Sequence, residues 1–319
     1  MTKLAFLFPG QGSQTVGMGK ELAANYSVAQ QTFDEADSAL GYKLSQLCFE
    51  GPEDKLKLTE ITQPAILTAS VAAYRVLREK GVSPAFVAGH SLGEYSAHVA
   101  AGTLSFADAV RTVRSRGQYM QEAVPVGEGA MAAILGMPSE QVQKFCEEAA
   151  DGAGVCSAAN LNSPEQTVIS GSKAAVERAA ELAKTRGAKK VVMLAVSAPF
   201  HCALMQPAQD RLAKDLGKLN FQAMQFPVIK NIDALPTMDA TDARQALIHQ
   251  VTGAVRWVDS MRKLIELGAE AFIEVGPGKV LCGLMRQIDR AQRCMNVEDE
   301  ASLQKAILSL QQPLQTSSS

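Results

Sequence analysis

The stretch Gly89-His90-Ser91-Leu92-Gly93-Glu94-Tyr95 follows a short apolar run, Ala85-Phe86-Val87-Ala88, and precedes a helical one, Ser96-Ala97-His98-Val99-Ala100-Ala101. A serine fenced by glycines, with a strand before it and a helix after, has the pattern of a sharp strand-to-helix turn. The turn residue is strained there, and glycine on either side lets the backbones approach closely. Such a turn pushes the serine oxygen out above the carboxyl end of a sheet. The same letters also fit a Gly-rich turn with an incidental serine, but the flanking elements favour a nucleophile.

Outward from this turn, the apolar run Leu4-Ala5-Phe6-Leu7-Phe8 ends in Pro9-Gly10-Gln11-Gly12-Ser13-Gln14. That pattern predicts a buried parallel strand emptying into a loop, at the end of the sheet where open α/β folds keep their ligands. A helix is expected over 64–80, opened by Pro64 and closed by Gly81. Ser105 and Asp108 have the spacing of a capping box, which opens a helix running to about Ala123. Between Gly127 and Val196 the order changes. Strands are expected at 131–135, 155–160, 167–170 and 189–196, with helices at 139–150 and 173–186. This βαββαβ order is the split βαβ, or ferredoxin-like, unit. Beyond it α/β alternation resumes, with strands near 228–232, 271–275 and 295–297. The expected fold is therefore a large α/β-hydrolase-like domain with a parallel sheet, residues 1–126 and 198–319. A small ferredoxin-like domain, residues 127–197, is inserted into it. The polar tail 315–319 reads as frayed.

Composition narrows the function. The chain has 319 residues, 47% hydrophobic, and a formal net charge of -2. A nearly neutral protein has no global attraction for nucleic acid or anionic lipid, so neither partner is expected. The apolar N-terminal run is broken too early by Pro9 and Gly10 to target or span a membrane. The six cysteines, Cys48, Cys146, Cys156, Cys202, Cys282 and Cys294, show no paired spacing. They read as buried or isolated thiols in a reducing cytoplasm, with no metal site, no cofactor and no disulfide frame.

A serine nucleophile needs a base, and the chain offers four histidines. His90 flanks Ser91 in the turn, where neighbouring side chains diverge. His98 lies two turns up the following helix, and His249 sits inside another. His201 stands just beyond a strand end in Ser197-Ala198-Pro199-Phe200-His201, at the seam between the two expected domains, where clefts are common. Position alone leaves His201 balanced against the other three together. No acid after Ser91 and before His201 offers itself as the third member, but a carbonyl oxygen can hold the imidazole tautomer equally well. For an oxyanion hole, one donor is the N–H of Leu92, and Gln11 is well placed to supply the second. Arg116 falls on the margin of its helix's apolar stripe, about 60° from Val113 at helical spacing. Its stem either lies along apolar surface with the head in water, or the guanidinium is kept as a fork for an anion.

Taken in order, several motifs resemble the malonyl-CoA:acyl carrier protein transacylases of bacterial fatty acid synthesis. They are Phe8-Pro9-Gly10-Gln11-Gly12-Ser13-Gln14, Thr62-Gln63-Pro64-Ala65, the Ser91 turn, Arg116-Gly117 with Met120, Phe200-His201, and Glu274-Val275-Gly276-Pro277-Gly278. The likeness covers almost the whole chain. It implies Ser91 as nucleophile, His201 as base, Gln11 and Leu92 as oxyanion hole, and Arg116 as partner of the malonyl carboxylate. It further implies that the main-chain carbonyl of Gln250 orients His201, and that Phe200 lines the acyl pocket. The partners implied are malonyl-CoA and acyl carrier protein, used in turn by a cytoplasmic monomer. Lys184, Arg186, Lys189 and Lys190 are candidates for the acidic carrier or the coenzyme phosphates, and equally for a solvated helix end. Two rival readings remain open at the level of sequence: a serine thioesterase or esterase, and a non-catalytic docking module for carrier proteins.

Overall fold

The computed structural model describes residues 2–150, 152, 154–196 and 198–311; the tail read as frayed, and Ser197 in the second expected boundary, lie outside the described residues. The strands are β1 (Leu4–Phe8), β2 (Phe86–Gly89), β3 (Gly129–Leu135), β4 (Cys156–Ser163), β5 (Gln166–Ser172), β6 (Lys190–Met193), β7 (Val228–Ile229), β8 (Pro236–Thr237), β9 (Ala271–Val275) and β10 (Cys294–Val297). They form two sheets, one in the order β10-β9-β1-β2-β7-β8 and the other in the order β4-β5-β3-β6.

The larger sheet is parallel from β10 to β7. All five residues of both β1 and β9 are buried, which is why their sequences run apolar without alternation. The parallel strand expected over 228–232 stops at Ile229, and the chain turns back as the antiparallel edge strand β8. The smaller sheet is wholly antiparallel, and its order is that of a ferredoxin-like unit. Its two helices, Ser139–Ala150 and Lys173–Thr185, bury Val142, Phe145, Val176 and Ala179 against it. Two backbone hydrogen bonds tie β4 to the segment before the Trp257–Glu266 helix: Leu161 N–H donates to the Val255 carbonyl at 2.9 Å, and Val255 N–H donates to the Ala159 carbonyl at 2.8 Å.

Two expectations need correction. The helix expected over 64–80 begins at Thr59 and runs to Glu79, with Pro64 inside it. Proline is cheapest in the first turn, and this one falls in the second, where the ladder loses one bond. Cys282 and Cys294, read as separate thiols, are paired as a disulfide with 5.4 Å between their Cα atoms. Cys282 lies early in the Val280–Ile288 helix and Cys294 opens β10, so the helix-to-strand return brings together residues distant in sequence. Cys48, Cys146, Cys156 and Cys202 are free thiols. The Glu274-Val275-Gly276-Pro277-Gly278 motif is structural. Buried Glu274 accepts the N–H groups of Leu281 (3.0 Å) and Cys282 (2.8 Å), placing a carboxylate against the positive end of that helix.

The Ser91 turn is as tight as its glycines imply. A Cβ on Gly89 would fall on the Gly93 carbonyl, and one on Gly93 would fall on the Phe8 carbonyl. The start of the Gly93–Ala100 helix thus rests directly on the ends of β1 and β2. Gly93→Ala is expected to destabilise the fold by about 2–3 kcal/mol, the cost of overpacking against rigid backbone. Gly283→Ala, where a Cβ meets nothing within 4 Å, should stay within about 1 kcal/mol and in the stabilising direction. Urea unfolding of both variants checks the contrast.

Candidate active site

Ser91 and His201 have φ of 50° and 60° and, with Ala234, are the residues other than glycine with positive φ among those described. Side chains with a Cβ seldom tolerate this region, and strain of this kind gathers at functional positions. The two strained residues meet: Ser91 Oγ lies 2.7 Å from His201 Nε2. On the far side of the ring, Nδ1 lies 2.9 Å from the Gln250 carbonyl oxygen and 3.1 Å from that of Gly253. Carbonyl oxygens only accept, so Nδ1 carries the hydrogen. Nε2 is left with its lone pair turned toward the serine hydroxyl. Burial, followed by the positive charge of Arg116, lowers the His201 pKa to about 3; the bonds to Gln250 and Gly253 oppose the shift. The imidazole is therefore neutral at rest.

The turn is stapled from the end of β7. Asn231, just past β7, accepts the Ser91 N–H at 2.8 Å and donates through Nδ2 to the Gly89 carbonyl at 2.7 Å. The strained Ala234 sits in the turn that returns the chain to β8, its N–H bonded to the Lys230 carbonyl at 3.0 Å. Glu94, one helical turn beyond Ser91, is fully buried. Its Oε2 accepts from Asn231 N–H (3.1 Å) and Gln250 Nε2 (2.7 Å), and burial pushes its pKa up to about 7. Neither Asn231 nor Glu94 was singled out in the sequence. The available signals were an asparagine at a strand end and an acid on the buried face of a first turn.

Arg116 resolves the choice left open by helical spacing. Its head is not in water: the residue is 2% exposed. Nη2 donates to Ser91 Oγ at 3.1 Å and to Gln250 Oε1 at 3.0 Å, while Nη1 donates to Gln63 Oε1 at 2.8 Å. The guanidinium lies over the Tyr95 ring, with Cζ 5.7 Å from its centroid.

Leu92 follows Ser91 at the N-terminus of the Gly93–Ala100 helix, where N–H groups have no partner within the helix. Gln11 is exposed in the turn after β1, and that turn is held against the serine turn by His90 N–H on the Phe8 carbonyl at 3.0 Å. Phe200 is buried in the main apolar core beside His201. The remaining histidines are elsewhere engaged or distant. His90 Nε2 lies 2.8 Å from Asn162 Oδ1, His98 is enclosed with no hydrogen-bond partner among the described residues, and His249 is exposed at a helix end.

Of the basic group on the smaller sheet, Arg186 forks onto Glu148 at 2.7 and 2.8 Å, Lys189 pairs with Glu165 at 3.1 Å, and Lys184 approaches Glu181 at 4.0 Å. Three of the four are thus neutralised within a solvated surface, and Lys190 is exposed with no ion pair among the described residues. Arg286 and Arg290 line a cavity of about 900 Å³ beside Ser163, the neighbour of Asn162. Among the described residues no group of three or more His, Cys, Asp or Glu side chains is arranged to hold a metal ion, and no helix is long and apolar enough to cross a membrane.

Comparison with known proteins gives the same outline. Residues 5–309 match the acyl transferase domain family. The chain is 49% identical over 312 residues to the malonyl CoA-acyl carrier protein transacylase of Bacillus subtilis, covering 98% of each chain. The structure of the transacylase of that name from Coxiella burnetii superposes with a TM-score of 0.95 at 47% identity, covering 98% of each chain. A malonyl-transacylase solved in complex with a type II polyketide synthase acyl-carrier protein superposes with a TM-score of 0.94 at 47% identity, over 97% of this chain and 100% of that one. A strained serine held against a neutral histidine, on a fold shared over nearly its whole length with these enzymes, places this chain in the acyl transferase domain family, among the relatives of the malonyl CoA-acyl carrier protein transacylases.

Proposed function

We propose that this protein transfers the malonyl group from malonyl-CoA to the phosphopantetheine thiol of acyl carrier protein, through a malonyl ester on Ser91, and so supplies fatty acid synthesis. The observation that carries this reading is a buried guanidinium 3.1 Å from a serine oxygen that is itself 2.7 Å from a neutral imidazole. A thioesterase or esterase needs the serine and the base but has no use for a buried cation beside the acyl group. A docking module needs none of the three.

In the first half-reaction His201 Nε2 takes the hydroxyl proton as Ser91 Oγ attacks the thioester carbonyl. The N–H groups of Leu92 and Gln11 receive the charge that develops on the carbonyl oxygen. Collapse of the tetrahedral adduct breaks the C–S bond, and His201 returns the proton to the departing coenzyme A sulfur. The second half-reaction is the reverse, with the carrier's thiol as nucleophile, so kinetics are ping-pong. Exchange between two thioesters is nearly neutral in free energy, and the task is to keep water from the ester until a thiol arrives. Phe200 lines the acyl side of this site, and the exposed Arg286 and Arg290, which line the cavity of about 900 Å³ and make no ion pair among the described residues, offer charge to the phosphate at the far end of either pantetheine arm. The residues 127–197 form the small ferredoxin-like domain of a cytoplasmic monomer.

Ser91→Ala should abolish the malonyl adduct seen by mass spectrometry of the intact protein, and an adduct at another residue would remove Ser91 as nucleophile. His201→Ala should lose about 10²–10⁴-fold in rate.

The depressed pKa of His201 gives the pH profile its sign. A base whose folded pKa lies near 3 stays unprotonated as pH falls through the ordinary histidine range, so kcat/KM should show no loss around pH 6.5. A limb near 7 that disappears in Glu94→Gln belongs to the buried carboxyl; one that persists contradicts the depressed base.

Arg116→Ala should lose malonyl transfer while keeping acetyl transfer. A charge-assisted pair contributes roughly 1.5–3 kcal/mol, or about 10- to 150-fold in the ratio of the two kcat/KM values. Lysine should substitute poorly, being a point charge without the fork. Equal losses for malonyl-CoA and acetyl-CoA would mean that the carboxylate is read elsewhere.

A further inference from the structure

Arginine has five N–H donors in one plane, and three of those of Arg116 have defined partners. One Nη1 hydrogen goes to Gln63 Oε1, and the two Nη2 hydrogens go to Gln250 Oε1 and Ser91 Oγ. Nε is buried with no partner among the described residues. Both glutamines are enclosed, Gln63 at 1% and Gln250 at 0% exposure, and both are neutral. Among the described residues Arg116 makes no ion pair, although the buried carboxylate of Glu94 is close enough to be felt as charge. Gln250 stands between them. Its Nε2 donates to Glu94 Oε2 at 2.7 Å and to the Ser91 carbonyl at 3.0 Å, which turns its Oε1 toward Arg116.

We propose that Gln63 and Gln250 are positioning residues that set the acyl selectivity of Ser91: they fix the Arg116 guanidinium from both sides with uncharged acceptors and keep its positive charge for a carboxylate on the acyl group. This rests on the malonyl reading above. Nε and Nη2 share one edge of the guanidinium. When Ser91 becomes an ester, its Oγ is a poorer acceptor, and the Nη2 hydrogen it held is released beside the unpartnered Nε–H. The two then form a fork, and the malonyl carboxylate fills it. An acetyl ester leaves the fork empty. An acidic side chain in either glutamine position would neutralise the guanidinium internally and compete with the substrate.

The test is the ratio of kcat/KM for malonyl-CoA to that for acetyl-CoA, read from Ser91 acylation in the intact protein. Gln63→Glu should lower the ratio at least tenfold, and Gln63→Met, which keeps volume and charge but removes the acceptor, should lower it about threefold. Equal losses for both thioesters in the two variants would make Gln63 a packing residue and overturn the proposal. If the acidic variant does not fold, Gln63→Met decides alone: a lowered ratio supports the clamp, and an unchanged ratio overturns it. Gln250→Glu should behave like Gln63→Glu, and a ratio left at the wild-type value would remove Gln250 from the clamp. Failure of the wild-type protein to take malonyl on Ser91 would sink the proposed function itself, a result distinct from all of these.

Discussion

Everything at the site depends on holding one serine at φ 50°. That conformation carries a cost of order 1–3 kcal/mol and persists only where its surroundings over-determine it. Here the surroundings are three parallel strand ends. Gly93 rests on the Phe8 carbonyl of β1, Gly89 closes β2 against the following helix, and Asn231 from beyond β7 grips both sides of the turn. A single side-chain amide does what a strand ladder does elsewhere, accepting the N–H of Ser91 and donating to the carbonyl of Gly89. Relaxation of the turn would have to break both bonds at once.

Held this way, the serine becomes the meeting point of two separately built halves. The imidazole comes from the segment leaving the smaller sheet, itself strained at φ 60°, and the guanidinium comes from the Phe106–Glu122 helix. A protonated imidazole and the guanidinium would be like charges. Arg116 discourages protonation of His201, so the cation that would draw in a carboxylate also keeps the base free while the site is empty. A carboxylate bound there, as proposed, would offset that charge and raise the basicity of the imidazole.

The parts legible in the sequence were those with a local signature. The strand-turn-helix around Ser91, the capping box at Ser105 and the βαββαβ order each rest on residues a few positions apart, and each appears where periodicity put it. Arg116 shows where local reading stops. Its angle on the helix left water and burial both open, and the question was decided by the Thr59–Glu79 helix, which brings Gln63 to it from 53 positions away. Asn231 and the disulfide partners were invisible for the same reason, since only the completed sheet sets Asn231 under Ser91 and returns Cys294 to Cys282. Pro64 misled in the other direction: a strong local start signal was overridden by a helix that is buried on both sides of it.

Gln250 does two jobs with different atoms. Its main-chain oxygen faces the imidazole, and its side chain faces the guanidinium. The backbone atom is the same whichever amino acid occupies the position, so side-chain substitution cannot delete the contact that orients the base. The side chain has no such protection. Under the proposed roles, chemistry and choice of acyl group would be inherited through separate channels of one codon: a descendant recruited to another acyl chain could rewrite the second without forfeiting the first.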